Sequence, residues 1–260
     1  MKHPLRLALL GTVALLASTA AQAATLIGLT GDNKLIRIDS ETRRASPATA
    51  ITGTNGRVVG IDQRPQDGRL YGITSQGQIV TIDAQSGRAT QVSQLNVPFQ
   101  AAGHAIFDFN PVANRVRIIG MDGQNLRVNV ETGEAVTDGR LKNAEGSPAA
   151  AQMPRVTAGA YTNSMAGATA TMLLTIDTST RSLNVQNPPN DGVQSPRAPL
   201  SAQVPANVAF DILSDGTSNQ GFVMAGATLH SLDLASGALT PRGTVTLPRG
   251  TSVIDIAAMR

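Results

Sequence analysis

The chain runs to 260 residues with a formal charge of +3, and Lys2 and Arg6 near its start are two of the 21 basic side chains, so the rest nearly balance the 18 acidic ones. No Lys/Arg run with interleaved aromatics occurs, which argues against a nucleic-acid partner. With no cysteine, no tryptophan and 3% aromatic residues, disulfides and thiolate metal sites are excluded, an aromatic sugar-binding platform is disfavoured, and Val, Ile, Leu and Ala must fill the core.

The first predicted element is an export signal over 1–23. Lys2 and Arg6 supply its positive start, Leu7 to Ala17 its apolar run, and Ala21-Gln22-Ala23 a cleavage site. The mature chain is then a single domain over 24–260, expected in the periplasm or secreted. The apolar run is too short for a comfortable membrane span, and no second one follows.

From there the chain alternates two kinds of strand. One phase reads VVGIDQ (58–63), AIFDFN (105–110), VAFDIL (208–213) and VIDIAA (253–258), placing Asp62, Asp108, Asp211 and Asp255 in register. The other reads LIRIDSETR (35–43), IVTIDAQSGR (79–88), LRVNVETGE (126–134) and LHSLDLASGA (229–238), each an alternating strand running into a turn. Copies recur about every 45 residues, the length of one four-stranded blade. The second unit takes strands at 57–64, 69–75, 78–84 and 88–94, and the third at 105–110, 115–120, 125–130 and 134–138. A divergent fourth unit takes 156–163, 171–177, 182–186 and 193–199, and the fifth spans 207–243. The ends complement each other: 24–50 offers three strands without an innermost one, and 252–259 is an innermost strand with nothing after it. Together they complete a blade and close a ring, so the expected fold is an all-β propeller of five blades.

Four strings along the same strands, GIDQRPQDGRLYG (60–72), FDFNPVANRVRIIGMDGQNLRVN (107–129), AYTNSMAGAT (160–169) and QNPPNDG (186–192), resemble the exported bacterial proteins of the domain-of-unknown-function 4394 family. Gln63 stands where that family commonly has an aromatic. The resemblance implies a secreted or periplasmic repeat-built β protein with no agreed activity, and it transfers no catalytic residue.

The chemistry-bearing residues point in three directions. Nucleophilic catalysis has thin support, because the mature chain keeps only His104 and His230 and no G-x-S-x-G elbow. His104, just ahead of an innermost strand, is a candidate channel-mouth ligand or base, against the plainer reading of a satisfied polar residue. Arg115, Arg117 and Arg127 with Asn110, Asn114, Asn125 and Asn129 form the densest polar set, suited to a carboxylate or phosphate ligand. The plainer reading packs the arginine stems between blades and bonds their heads to turns. Asn187 to Gly192 reads as a turn string, and no glycine-rich phosphate loop occurs.

The third direction is the repeated aspartate. If Asp62, Asp108, Asp211 and Asp255 face the axis, with Tyr161 near the equivalent place in the fourth unit, carboxylates encircle one channel and call for Ca²⁺ or Mg²⁺. The plainer reading has each Asp cap backbone N–H groups of its own blade. The overall expectation is a monomeric exported binding or interaction module without catalysis. Its partner would dock on the face bearing the long connections 48–56, 95–104 and 138–154. The rival is a propeller hydrolase or lactonase using a channel cation, possible ions being headed by Ca²⁺.

Overall fold

The computed structural model describes residues 23–259 apart from Gln100, Ala102 and Asn207. The predicted export signal up to Gln22 lies outside the described residues. Five antiparallel sheets make five blades. Blade 2 runs outward from the axis as β4 (Val58–Gln63), β5 (Leu70–Thr74), β6 (Gln78–Ile82) and β7 (Ala89–Gln94). Blade 3 follows as β8 (Ala105–Asn110), β9 (Arg115–Gly120), β10 (Asn125–Val128) and β11 (Ala135–Thr137). Blade 4 holds β13 (Val156–Tyr161), β14 (Leu173–Asp177), β15 (Ser182–Gln186) and β16 (Val193–Pro199), with the short β12 (Lys142–Asn143) added parallel to its outer edge. Blade 5 holds β17 (Ala209–Ser214), β18 (Asn219–Ala225), β19 (Thr228–Leu232) and β20 (Leu239–Thr244). Blade 1 joins the two ends of the chain: β1 (Thr25–Thr30), β2 (Lys34–Asp39) and β3 (Thr49–Ala50) are completed on the inside by β21 (Val253–Met259).

The innermost strands touch in the cycle β21, β4, β8, β13, β17 and back to β21, so the sheets form a closed ring. The predicted closure is therefore present, and no innermost strand is left as an open edge. One 3₁₀ turn at Pro189–Asp191 is the sole helical element among the described residues, none of which builds a helix long and apolar enough to cross a membrane.

Aliphatic side chains fill the wedges between blades, as the composition requires. Val59, Ile73, Phe107 and Phe109 pack between blades 2 and 3, and Ile36, Ile38, Phe222 and Met224 between blades 1 and 5. Each such side chain stabilises the fold by about 1.5–3 kcal/mol on burial. The wedge between blades 3 and 4 has a smaller apolar cluster built on Ile106, Ile119 and Leu173, and a polar network takes up the remaining space.

The repeated turns tie each blade to the one before it. Asp83 accepts the N–H groups of Gln85 and Ser86, and Asp233 those of Ala235 and Ser236. Their closing glycines, Gly87 and Gly237, have φ of 71° and 73°, and their carbonyls receive Thr52 N–H and Ser201 N–H from the preceding blade. Gly133 receives Asn96 N–H in the same way. A Cβ at any of the three would collide with a backbone carbonyl of that incoming chain, so both the positive φ and the close approach require glycine.

Candidate functional site

Asp62 on β4, Asp108 on β8 and Asp211 on β17 converge on the channel, with one oxygen of each within 4.8 Å of the others. All three are buried, at 4%, 5% and 5% exposure. Each also reaches into the next blade: Asp62 Oδ2 accepts Phe109 N–H at 2.8 Å, Asp108 Oδ1 accepts Tyr161 N–H at 2.9 Å, and Asp211 Oδ2 accepts Ala258 N–H at 2.5 Å. The other oxygens of Asp62 and Asp211 accept the N–H of the following residue, Gln63 and Ile212. The carboxylates therefore brace neighbouring blades as well as their own strand.

That pattern sets the register of the channel. The N–H received by Asp62 belongs to the residue after Asp108, so the residues before Tyr161 and Ala258, namely Ala160 and Ala257, stand level with the three carboxylates. Asp255 sits two residues before Ala257, opposite Leu29, and it accepts Ile61 N–H at 2.8 Å and Ile256 N–H at 3.0 Å. The alternation in VIDIAA thus misplaces Asp255: the level ring holds three aspartates and two alanines, with Asp255 displaced along the axis. Tyr161 adjoins the equivalent position rather than filling it.

The electrostatics follow from burial without a counter-charge. Among the described residues none of the four carboxylates has an ion-pair partner. Burial pushes Asp62 and Asp108 well above the usual carboxylate range, and repulsion from the neighbouring aspartates pushes them further. Asp255 is raised well above that range by burial and by Asp211, and burial lifts Asp211 to about 6. Such a cluster must take up protons or a cation. A carboxylate oxygen that accepts one N–H keeps a further lone pair, and an all-oxygen set suits a hard divalent ion.

Beside the cluster is a cavity of about 90 Å³, lined by Asp62, Asp211, Gln63, Arg64, Ser164 and Ser214. It opens at the end of the ring where innermost strands turn into their neighbours. The guanidinium of Arg64, which also lines this cavity, bonds Asn114, Asp67, Tyr71 and Glu131.

The Arg/Asn set divides. Arg117 and Arg127 are cross-strand partners, and both meet Asp138: Arg117 Nη1 at 2.6 Å and Arg127 at 2.7 and 3.0 Å through Nε and Nη2. Arg117, 2% exposed, also donates to Asn125 and Asn190. Asn125 donates to Gly139 O and Pro189 O, and Gln186 and Gln194 extend the network within blade 4. These groups bond one another across the wedge of blades 3 and 4. Asp138 was not singled out by motif, yet two arginines in directly opposed register demand a carboxylate nearby, and that was the available signal. Arg115 is exposed and bonds Asn114 O, while Asn110 caps Val112 N–H and Ala113 N–H. His104 Nε2 meets Thr157 O at 2.9 Å, and burial lowers its pKa.

Two further clefts, of about 1020 and 580 Å³, lie at the same end of the ring as the channel cavity. Within the long connections, Leu95 and Leu141 are buried, and Val97 and Phe99 pack on the core.

The family model described as "Domain of unknown function (DUF4394)" matches residues 34–257, and no curated protein matches the chain. A structural-genomics protein of unknown function from Bacteroides thetaiotaomicron VPI-5482 is similar over 92% of this chain and 65% of its own, with a TM-score of 0.55 and 16% identity. The computationally designed Ika8 protein is similar over 88% of this chain and 65% of its own, at a TM-score of 0.39 and 12% identity. This chain thus spans 65% of the length of each, and the first likeness concerns the fold alone.

Proposed function

This chain belongs to the DUF4394 family, which is defined without an activity, and we propose that it is an exported, single-domain binding module whose five-bladed ring holds a divalent cation, Ca²⁺ by its oxygen ligands, in the channel. The observation that carries the reading is the trio Asp62, Asp108 and Asp211: buried, mutually within 4.8 Å and without a basic partner. Asp255, further along the axis, adds to the negative field felt by Asp62 and Asp108.

The size of the adjoining space supports a structural rather than a catalytic ion. A cavity of about 90 Å³ has room for roughly three waters at about 30 Å³ each, well short of the ~300 Å³ at which small-molecule sites begin. An ion there meets protein oxygens and water, not an organic substrate. Its effect is to cancel repulsion between strands of three blades and so stiffen the ring, which favours binding over hydrolysis. Equilibrium dialysis of chelator-stripped protein against Ca²⁺, followed by metal analysis, tests this. About one ion per chain is expected, and none bound after dialysis would defeat the proposal.

A further inference from the structure

The connection between β3 and β4 is pinned at both ends and open in the middle. Ile51 N–H donates to Asn33 O and Thr52 N–H to Gly87 O, and Val58 N–H meets Asn33 Oδ1 at 2.8 Å. Between these anchors Asn55 and Gly56 are exposed. The backbone N–H of Asn55 donates to Gln78 Oε1 at 2.9 Å and Gly56 O accepts Thr54 Oγ1 at 2.9 Å. Neither the side-chain amide of Asn55 nor the N–H of Gly56 has a hydrogen-bond partner among the described residues.

Asn55 is the one asparagine of the chain that is followed by glycine, and the fold needs that glycine. Gly56 has φ of 84°, and a Cβ there would meet Gln76 Cγ and Ser75 Oγ at 2.8 Å, so a side chain at 56 is disfavoured by both backbone and space. A glycine nitrogen, with no side chain beside it, is the least hindered backbone nucleophile toward the preceding carboxamide. Asp67, Asp122, Asp138 and Asp191 also precede glycines, but there the glycine N–H is already donated, to Arg64 O, Gly120 O, Asn190 O and Pro189 O. Asp215, ahead of Gly216, has its carboxylate held by Thr217 and Ser218. At 55–56 both reacting groups are free and in water.

We propose that Asn55 is a modification site, deamidated without an enzyme by its own backbone. The Gly56 nitrogen gives up its proton and attacks Cγ of Asn55; a C–N bond forms as the Cγ–Nδ2 bond breaks, and ammonia leaves. Water then opens the five-membered imide at either carbonyl, giving aspartate or isoaspartate. Either product places a carboxylate two residues before Arg57, whose guanidinium donates to Gly31 O at 3.2 Å and Gly103 O at 3.1 Å and so links blades 1 and 2 to the segment entering blade 3. Isoaspartate also lengthens the main chain just ahead of β4, the strand of Asp62. The site lies outside the channel, and the proposal does not depend on the cation.

The test follows the protein from Ala24 onward, kept folded in mildly alkaline buffer, by tryptic mapping over time against a zero-time digest. Residues 45–57 leave trypsin as one peptide in which Asn55 is the sole side-chain amide. That peptide should give way to two species, each heavier by the exchange of NH2 for OH, one of them a substrate for an isoaspartyl methyltransferase, at a rate that rises with pH. Peptides carrying Asn96 and Asn129 should stay unchanged over the same period, and Asn55→Gln should abolish both new species. A 45–57 peptide that stays intact in the folded protein while it converts in guanidinium-unfolded chain would overturn the proposal, as would faster conversion at another asparagine.

Discussion

Asp62 Oδ2 accepts the Phe109 N–H at 2.8 Å across the boundary between blades 2 and 3. The same carboxylate faces the channel beside Asp108 and Asp211. One side chain thus stitches two blades together and contributes charge to a crowded centre, and these two roles respond differently to substitution.

Asp62→Asn keeps an oxygen for the Phe109 N–H and removes the charge, whereas Asp62→Ala also orphans that buried donor. An unsatisfied buried N–H costs about 1–3 kcal/mol. In chelator, urea unfolding should place Asp62→Ala below the wild type by about that amount and Asp62→Asn at or above it. Equal losses for both would mean that repulsion in the channel is negligible.

The pH dependence has a definite sign. Asp62, Asp108, Asp211 and Asp255 all have folded-state pKa values above those of an unfolded chain, near 3.9. The folded state binds these protons more tightly, so the stabilisation is full below pH ~4 and is lost as pH rises through the folded values, beginning with Asp211 at about 6. Chelated protein should therefore show a falling melting midpoint between pH 5 and 8 (roughly the window set by those shifts), and Ca²⁺ should flatten the fall. A chelated midpoint that rises over this range would contradict the assignment.

Asp138 is the common anchor of Arg117 and Arg127. Asp138→Ala would leave the Arg117 guanidinium, 2% exposed, without its carboxylate, and breaking a buried pair in this way costs about 3–5 kcal/mol. Arg127, 39% exposed at its side chain, is a looser member, so Arg127→Ala should cost about 1 kcal/mol or less. Chemical denaturation of the two variants checks the order.

Much of this was legible in the sequence because strand periodicity and ring closure are written in local patterns. The 45-residue recurrence and the complementary ends led to five blades, and the ends of IVTIDAQSGR and LHSLDLASGA marked turns that the structure uses to join blades. Register was the weak point. A period of two cannot tell Asp255 from the position two residues on, since both face the same way, and Ala257 carries no chemical mark of its level. The Arg/Asn set was legible as a concentration of polar groups but not as a wedge filler, because its partners Asp138, Gln186 and Gln194 come from distant strands.

Ring closure makes its own prediction. β21 pairs with β1 along its length and contacts β4 and β17, and it carries Asp255 and the Ala258 N–H that Asp211 receives. Removing 252–260 should expose two blade faces and the edge of β1, giving aggregation or loss of a single cooperative transition. An unchanged melting curve would contradict a closed ring.

The most direct measurement is the melting midpoint of chelator-treated protein with and without Ca²⁺, for the wild type and for Asp108→Asn. An ion that binds only the folded state adds RT ln(1 + [L]/Kd), about 2.7 kcal/mol at a hundredfold excess over Kd. The account predicts a clear rise for the wild type and a much smaller one for Asp108→Asn, whose folded ring keeps the Tyr161 contact but lacks the charge. Identical midpoints for the wild type in Ca²⁺ and in chelator, or an equal rise in both proteins, would contradict a cation held by the channel aspartates.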